Sequence, residues 1–217
     1  MSEAARLVAE LRQHVADERV LRAIEHVPRE AFVPEDLRAH AYDNTALGIG
    51  CGQTISQPLV VARMTELLEL RPEDRVLDVG TGSGYHAAIL ATLAAHVWSV
   101  ERHADLSRRA GEALARAGIA NVTLVVGDGS LGLPQEAPFD AINVAAAGGR
   151  DALAALEDQL APGARLVAPL VGRAPAGFQA IGVSGRRQRL TLARREPDGV
   201  RWRALEEVRF VPLVSDR

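Results

Sequence analysis

Apolar residues recur at helical spacing early in the chain and as short unbroken runs in its middle. Leu7, Leu11 and Val15 step by four, and Leu21, Ile24 and Val27 step by three, so residues 3–27 are expected to form two short amphipathic helices. Pro28 and Pro34 then restrict the backbone. A helix is expected from Pro58, since proline suits a first helical turn, with Val60, Met64, Leu67 and Leu68 on one face.

After residue 74 the period changes. "RVLDVG" (75–80), "HVWSVE" (96–101), "VTLVVGDG" (122–129), "FDAINVAAA" (139–147) and "ARLVAPL" (164–170) read as strands. Helices are expected at 84–95, at 104–118 and at roughly 150–160. Such alternation predicts an α/β fold, a Rossmann-like, doubly wound, mostly parallel sheet with helices on both faces. The tail differs: "RQRLTLARRE", the turn "PDG" and "VRFVPLV" predict antiparallel strands at the C-terminal edge. A single domain is expected, with a helical and substrate-loop extension at 1–57, a cofactor-binding core at 58–170 and antiparallel strands at 171–217.

Composition narrows the class. The 47% hydrophobic and 24% charged fractions are those of an ordinary globular protein, and 217 residues suffice for one sizeable core. A net charge of -3 gives no electrostatic case for nucleic acid as a partner. Cys51 is the sole cysteine, which excludes an internal disulfide, and the six histidines lack ligand spacing, so no metal site is expected. The first residues carry acids and no continuous apolar stretch, and no apolar run approaches the roughly 20 residues that cross a bilayer. A cytoplasmic monomer is the expectation, and Trp98, inside a strand, is expected to pack rather than to recognise substrate.

The candidate chemistry begins at "VLDVGTGSGY" (76–85), where Gly80, Gly82 and Gly84 follow a strand and precede a helix. Glycine there permits a tight turn and close backbone approach to a ligand. A nicotinamide fingerprint wants its third glycine at the sixth position, which is Tyr85 here. The G-x-G-x-G spacing, with Asp78 just ahead, instead resembles motif I of the S-adenosylmethionine-dependent methyltransferases. That donor has no phosphate to seat on a helix N-terminus. It offers an ammonium and a carboxylate, which an acid and the amides of Gly80, Thr81, Gly82, Ser83 and Gly84 suit. Glu101 ends the second strand, 21 residues after Gly80, where a carboxylate can accept both ribose hydroxyl protons. Asp128 and Gly129 follow the third strand, on the side expected for adenine. The plainer reading makes Asp78, Glu101 and Asp128 surface turn residues, but all three fall at strand ends, where open α/β sheets bind ligands.

The order of further segments narrows the resemblance. "VPREAFVP", "GQTISQP", "ARMTELLEL", "VLDVGTGSGY", "VVGDG", "APFDAINVAAA", "LAPGARLVAPL" and "VRFVPLV" make roughly residues 17–214 similar to the protein-L-isoaspartate O-methyltransferases. The resemblance implies transfer of the donor methyl to the free α-carboxylate of an isoaspartyl residue in a damaged protein or peptide. The ester would then close to a succinimide that can reopen to aspartate. It also implies Ser56 as the active-site residue, with Gln53 and Thr54 beside it on the substrate side. A carboxylate is ionised at neutral pH, so no strong general base is required, and a hydroxyl donor such as Ser56 can orient it. The competing role for Ser56 is that of a helix N-cap ahead of Pro58, although Leu59 stands where a capping box wants Glu or Gln. Two other readings stay open: a relative acting on an aspartate of a modified peptide, and a non-catalytic domain that keeps a donor pocket. The chain departs from the family pattern at Gly48, at Ala145–Gly149 and in the longer 171–187 stretch.

Overall fold

A computed structural model describes residues 1–172 and 187–215; the residues of the 171–187 stretch numbered 173–186 lie outside those described. The described elements run α1 (Glu3–Leu11), α2 (Glu18–His26), β1 (Leu47–Gly50), β2 (Gln53–Ile55), α3 (Pro58–Leu68), β3 (Arg75–Val79) and α4 (Tyr85–Ala91). They continue with β4 (His96–Glu101), α5 (Ala104–Arg116), β5 (Val122–Val126), β6 (Phe139–Val144), α6 (Ala154–Glu157), β7 (Leu160–Val171), β8 (Gln188–Glu196) and β9 (Gly199–Val208). The main sheet has the order β5-β4-β3-β6-β7-β8-β9. β5, β4, β3, β6 and β7 pair in parallel, and β8 and β9 add antiparallel at one edge. This is the expected doubly wound architecture.

The centre of the sheet explains its sequence. In β3, Val76, Leu77, Asp78 and Val79 are all buried, and in β6 so are Ala141, Ile142, Asn143 and Val144. Strands covered on both faces cannot alternate, so they read as continuous apolar runs. The chain winds from β3 outward through β4 and β5, then returns to place β6 on the other side of β3. The crevice at the carboxyl ends of β3 and β6 is therefore the topological switch point, where sheets of this kind bind ligands.

The helices pack as the apolar spacing demands, with local corrections. Leu7, Leu11 and Val15, then Leu21, Ile24 and Val27, are buried in one cluster with Ile49, Ile55, Tyr85, Ile89 and Leu106. α3 starts at Pro58 as expected, but it turns Val61, Ala62, Met64, Thr65 and Leu68 inward, while Val60 and Leu67 are only half-buried. α4 is shorter than the expected 84–95 helix, and the expected 150–160 helix is a 3-10 turn followed by one turn of α6. β7 begins at Leu160, earlier than the expected strand. Trp98 packs edge-on against Phe139, with ring centroids 5.8 Å apart, consistent with a structural role. Among the described residues no helix is long and apolar enough to cross a membrane.

Candidate active site

"GIGCGQTISQP" is not a loop but a small hairpin, β1 against β2. Its two-residue turn has positive φ at both positions, Cys51 at 53° and Gly52 at 70°, the backbone that a type I′ hairpin turn requires. The hairpin delivers Gln53 and Thr54 along β2 and Ser56 just beyond it. Ser56 does not cap α3. The N-cap position is Gln57, without a side-chain bond, and the amide of Leu59 donates instead to Asn44 Oδ1 at 3.1 Å. The Ser56 hydroxyl has no hydrogen-bond partner among the described residues, which leaves it available to a ligand.

At the switch point a cleft of about 1100 Å³, including its open mouth, is lined by the hairpin, the glycine-rich loop and the end of β4. Gln53, Thr54, Ser56, Gly80, Thr81, Gly82, Ser83, Glu101 and Gly129 all face it. Of the expected ligand residues, Asp78, Gly84 and Asp128 do not line it. Gly84, with φ at 88°, lets α4 start against α5, because a Cβ there would lie 3.1 Å from Ala110 Cβ. Asp128 turns back to accept from the Ser130 amide at 2.9 Å and from Ser215 Oγ at 3.3 Å.

Glu101 is buried at the end of β4 and accepts one backbone amide on each oxygen, from Gly82 at 2.9 Å and from His103 at 3.0 Å. A carboxylate oxygen has two lone-pair sites, so each retains acceptor capacity. Asp78 is fully buried beneath the loop. Ser99 Oγ donates to its Oδ2 at 2.6 Å and Asn143 Nδ2 to its Oδ1 at 2.7 Å. The chain of contacts continues from Ser99 to Thr81 at 2.6 Å, and from Asn143 to His86 Nδ1 at 3.2 Å. His86 Nε2 reaches Thr65 Oγ1 at 3.1 Å, and that hydroxyl donates to the Val61 carbonyl. Because Asn143 Nδ2 can only donate, His86 Nδ1 must accept, which fixes a neutral imidazole protonated on Nε2. Burial agrees, lowering His86 to about 3. It also raises Asp78 to about 6, against the hydrogen bonds from Ser99 and Asn143.

Sequence reasoning missed several cleft residues. The tail 208–214 is not a continuing edge strand: β9 ends at Val208, and the chain then crosses back over the sheet. The Ala147 amide donates to Val211 O at 2.8 Å and the Leu213 amide to Ala147 O at 2.7 Å, so Val211, Pro212, Leu213 and Val214 wall the cleft. A second cleft lies beyond that wall, lined by Thr45, Ala46, Gln57, Val60 and residues 207–210. Thr54, Ser56, Ala145 and Val211 line both clefts and form the partition between them. Gly48 pairs with Thr54 across the hairpin, and Ala145 lies in the partition, so two of the departures from the family pattern sit at this border.

Residues 2–217 match the family described as protein-L-isoaspartate (D-aspartate) O-methyltransferase. A protein-L-isoaspartate O-methyltransferase of Rhodospirillum centenum is 45% identical over 220 residues, covering 100% of this chain and 95% of that one. Another, of Methanoculleus marisnigri, is 57% identical over 156 residues, 72% of this chain and 70% of its own. A solved protein-L-isoaspartate O-methyltransferase superposes with a TM-score of 0.84 at 26% identity, over 98% of this chain and 66% of that longer one.

Proposed function

The chain belongs to the protein-L-isoaspartate (D-aspartate) O-methyltransferase family, and from that premise we propose that it moves the methyl group of S-adenosylmethionine to the free α-carboxylate of isoaspartyl residues in damaged proteins or peptides. The observation that carries this reading is the partition of Thr54, Ser56, Ala145 and Val211 between two clefts. A donor in the first cleft and a peptide in the second meet at Ser56.

The first cleft fits such a donor. It has carboxylates, Asp78 and Glu101, beneath and beside the glycine-rich loop, where a pyrophosphate would be repelled and an ammonium or sulfonium is attracted. Glu101 would hold the ribose hydroxyls with its remaining acceptor sites. Asp78 would act through its charge beneath the methionine end. The amides of Gly80, Thr81, Gly82 and Gly84, expected from the sequence to serve the donor, instead donate to the Val100 carbonyl, Glu101 and the Thr81 carbonyl, so these residues would shape the pocket rather than supply those hydrogen bonds. Gly129, which lines the cleft, would floor the adenine side beside Asp128; packing requires glycine there, because a Cβ would lie 2.6 Å from Val79 Cγ1. The bound donor supplies a methyl group made electrophilic by its sulfonium sulfur.

The chain's own contribution is alignment. The substrate carboxylate is already ionised near neutrality, so its oxygen attacks without a base. Ser56 donates its free hydroxyl to that carboxylate and sets its direction, with Gln53 and Thr54 alongside. Residues 211–214 cover the cleft and exclude water from the reacting atoms. The ester left on the substrate closes to a succinimide as the neighbouring peptide nitrogen displaces methanol, and hydrolysis of the ring can return aspartate. The proposal also takes the protein as a cytoplasmic monomer of one domain (1–57, 58–170 and 171–217) whose partners are proteins rather than nucleic acids. The cluster shared by α1, α2, the hairpin, α4 and α5 supports the single domain, and the net charge of -3 supports the choice of partner.

Ser56→Ala tests the division of the site. A lost hydrogen bond to a charged group costs turnover about 10- to 100-fold, while affinity for S-adenosylhomocysteine, read by calorimetry, changes by less than about threefold. Lost donor affinity with turnover unchanged at saturation would reverse the assignment.

A further inference from the structure

Arg29 is the largest of the fully buried side chains. It lies in a 3-10 turn, Arg29–Phe32, far in sequence from both clefts. Its Nε donates to Ala41 O at 2.8 Å, and its Nη2 to Thr45 O at 3.4 Å and Ser56 O at 2.8 Å. The guanidinium carbon sits 4.8 Å from the centre of the Tyr85 ring, on the first residue of α4 after the glycine-rich loop. No carboxylate pairs with it among the described residues. Three carbonyls and one aromatic face are what hold this cation.

We propose that Arg29 is a positioning residue for methyl transfer, holding the Ser56 backbone against Tyr85 so that the Ser56 hydroxyl stays in the partition between the clefts; this rests on the functional reading above. The planar fork is needed because its donors leave in fixed directions toward separate carbonyls, which a lysine ammonium cannot reproduce. A purely structural filler would be better served by an apolar side chain, since burying a charge carries a desolvation cost. The same fork touches the segment before the hairpin (Ala41, Thr45) and the residue after it (Ser56), so it clamps both ends of the substrate-side element. Tyr85 lines the first cleft, which links the clamp to the donor side.

The test compares wild type, Arg29→Lys and Arg29→Ala with a labelled donor and an isoaspartyl peptide. In folded Arg29→Lys, kcat is expected to fall about 10- to 100-fold, with peptide KM and S-adenosylhomocysteine affinity each moving less than about threefold. In Arg29→Ala, millimolar methylguanidine is expected to restore part of kcat by refilling the vacated site. Activity that merely follows the folded fraction, donor affinity that falls as far as kcat, or loss of the folded state in both variants would overturn the assignment and make Arg29 a determinant of folding alone. Wild type that fails to methylate the peptide would defeat the functional reading itself, whereas active wild type with unimpaired variants would defeat only the role of Arg29.

Discussion

Asp78→Asn separates stability from function. Burial is the largest influence on Asp78 and lifts its carboxyl from 3.8 to about 6, even though Ser99 and Asn143 donate to it; the Glu101 charge adds to the rise. A carboxyl raised in the folded state contributes its full stability below the unfolded value and loses it as pH rises through the folded value. The rise from 3.8 to about 6 amounts to roughly 3 kcal/mol, all of it lost by neutral pH. Asparagine carries no charge to desolvate. Its Oδ1 can still accept from Asn143, and its amide can donate to Ser99 if the Ser99 and Thr81 hydroxyls reverse direction, which each is free to do chemically. Urea denaturation of the ligand-free proteins from about pH 4.5 to about pH 7.5 should therefore show the variant gaining about 2 kcal/mol on wild type across that range. His86 does not blur the comparison, because burial keeps it neutral throughout in both folded proteins. The same substitution should weaken S-adenosylhomocysteine and, more strongly, S-adenosylmethionine, whose sulfonium is cationic. A stability difference that does not vary with pH would refute the desolvated charge. An unchanged preference between the two ligands would refute its use in holding the donor.

Two further substitutions follow from local hydrogen bonds. Glu101→Gln keeps the shape but leaves one of the amides of Gly82 and His103 facing an NH2 group, so S-adenosylhomocysteine affinity by calorimetry should drop about 10- to 100-fold with the fold intact. Asn44→Ala removes the acceptor for the Leu59 amide, together with an exposed bond from Asn44 Nδ2 to Glu10 at 2.7 Å, and should cost about 1 kcal/mol in chemical denaturation, the usual loss of a helix cap.

What the sequence disclosed and what it withheld differ in range. The glycine-rich turn and Glu101 were readable because a strand, a turn and a helix within about thirty residues determine where they lie. The parallel core was readable because two covered faces keep β3 and β6 from alternating apolar and polar residues, and their few polar positions do not follow a period of two. Arg29 was not, since an arginine beside Glu30 in a proline-flanked turn has every local mark of an exposed residue. Its burial comes from carbonyls 12 to 27 residues away. A cap for α3 was legible only as the competing role of Ser56, and it comes instead from Asn44, which the local chain gives no cue to. The tail was misread for a different reason. "VRFVPLV" alternates like a strand, and only the long-range bridge between Ala147 and Pro212 turns it across the cleft. Asp78, Ser99, Asn143, His86 and Thr65 come from five different elements, so their network has no sequence signature, although Asp78 alone announced an acid at the right strand.

The central claim is the chemical identity of the methyl acceptor. Two peptides identical except for isoaspartate or aspartate at one position, incubated with the protein and methyl-labelled S-adenosylmethionine, test it directly by base-labile label released as methanol. Label on the isoaspartyl peptide alone, followed by the appearance of the aspartyl form, is the predicted result. Equal labelling of both peptides, labelling of the aspartyl peptide alone, or none on either would contradict it.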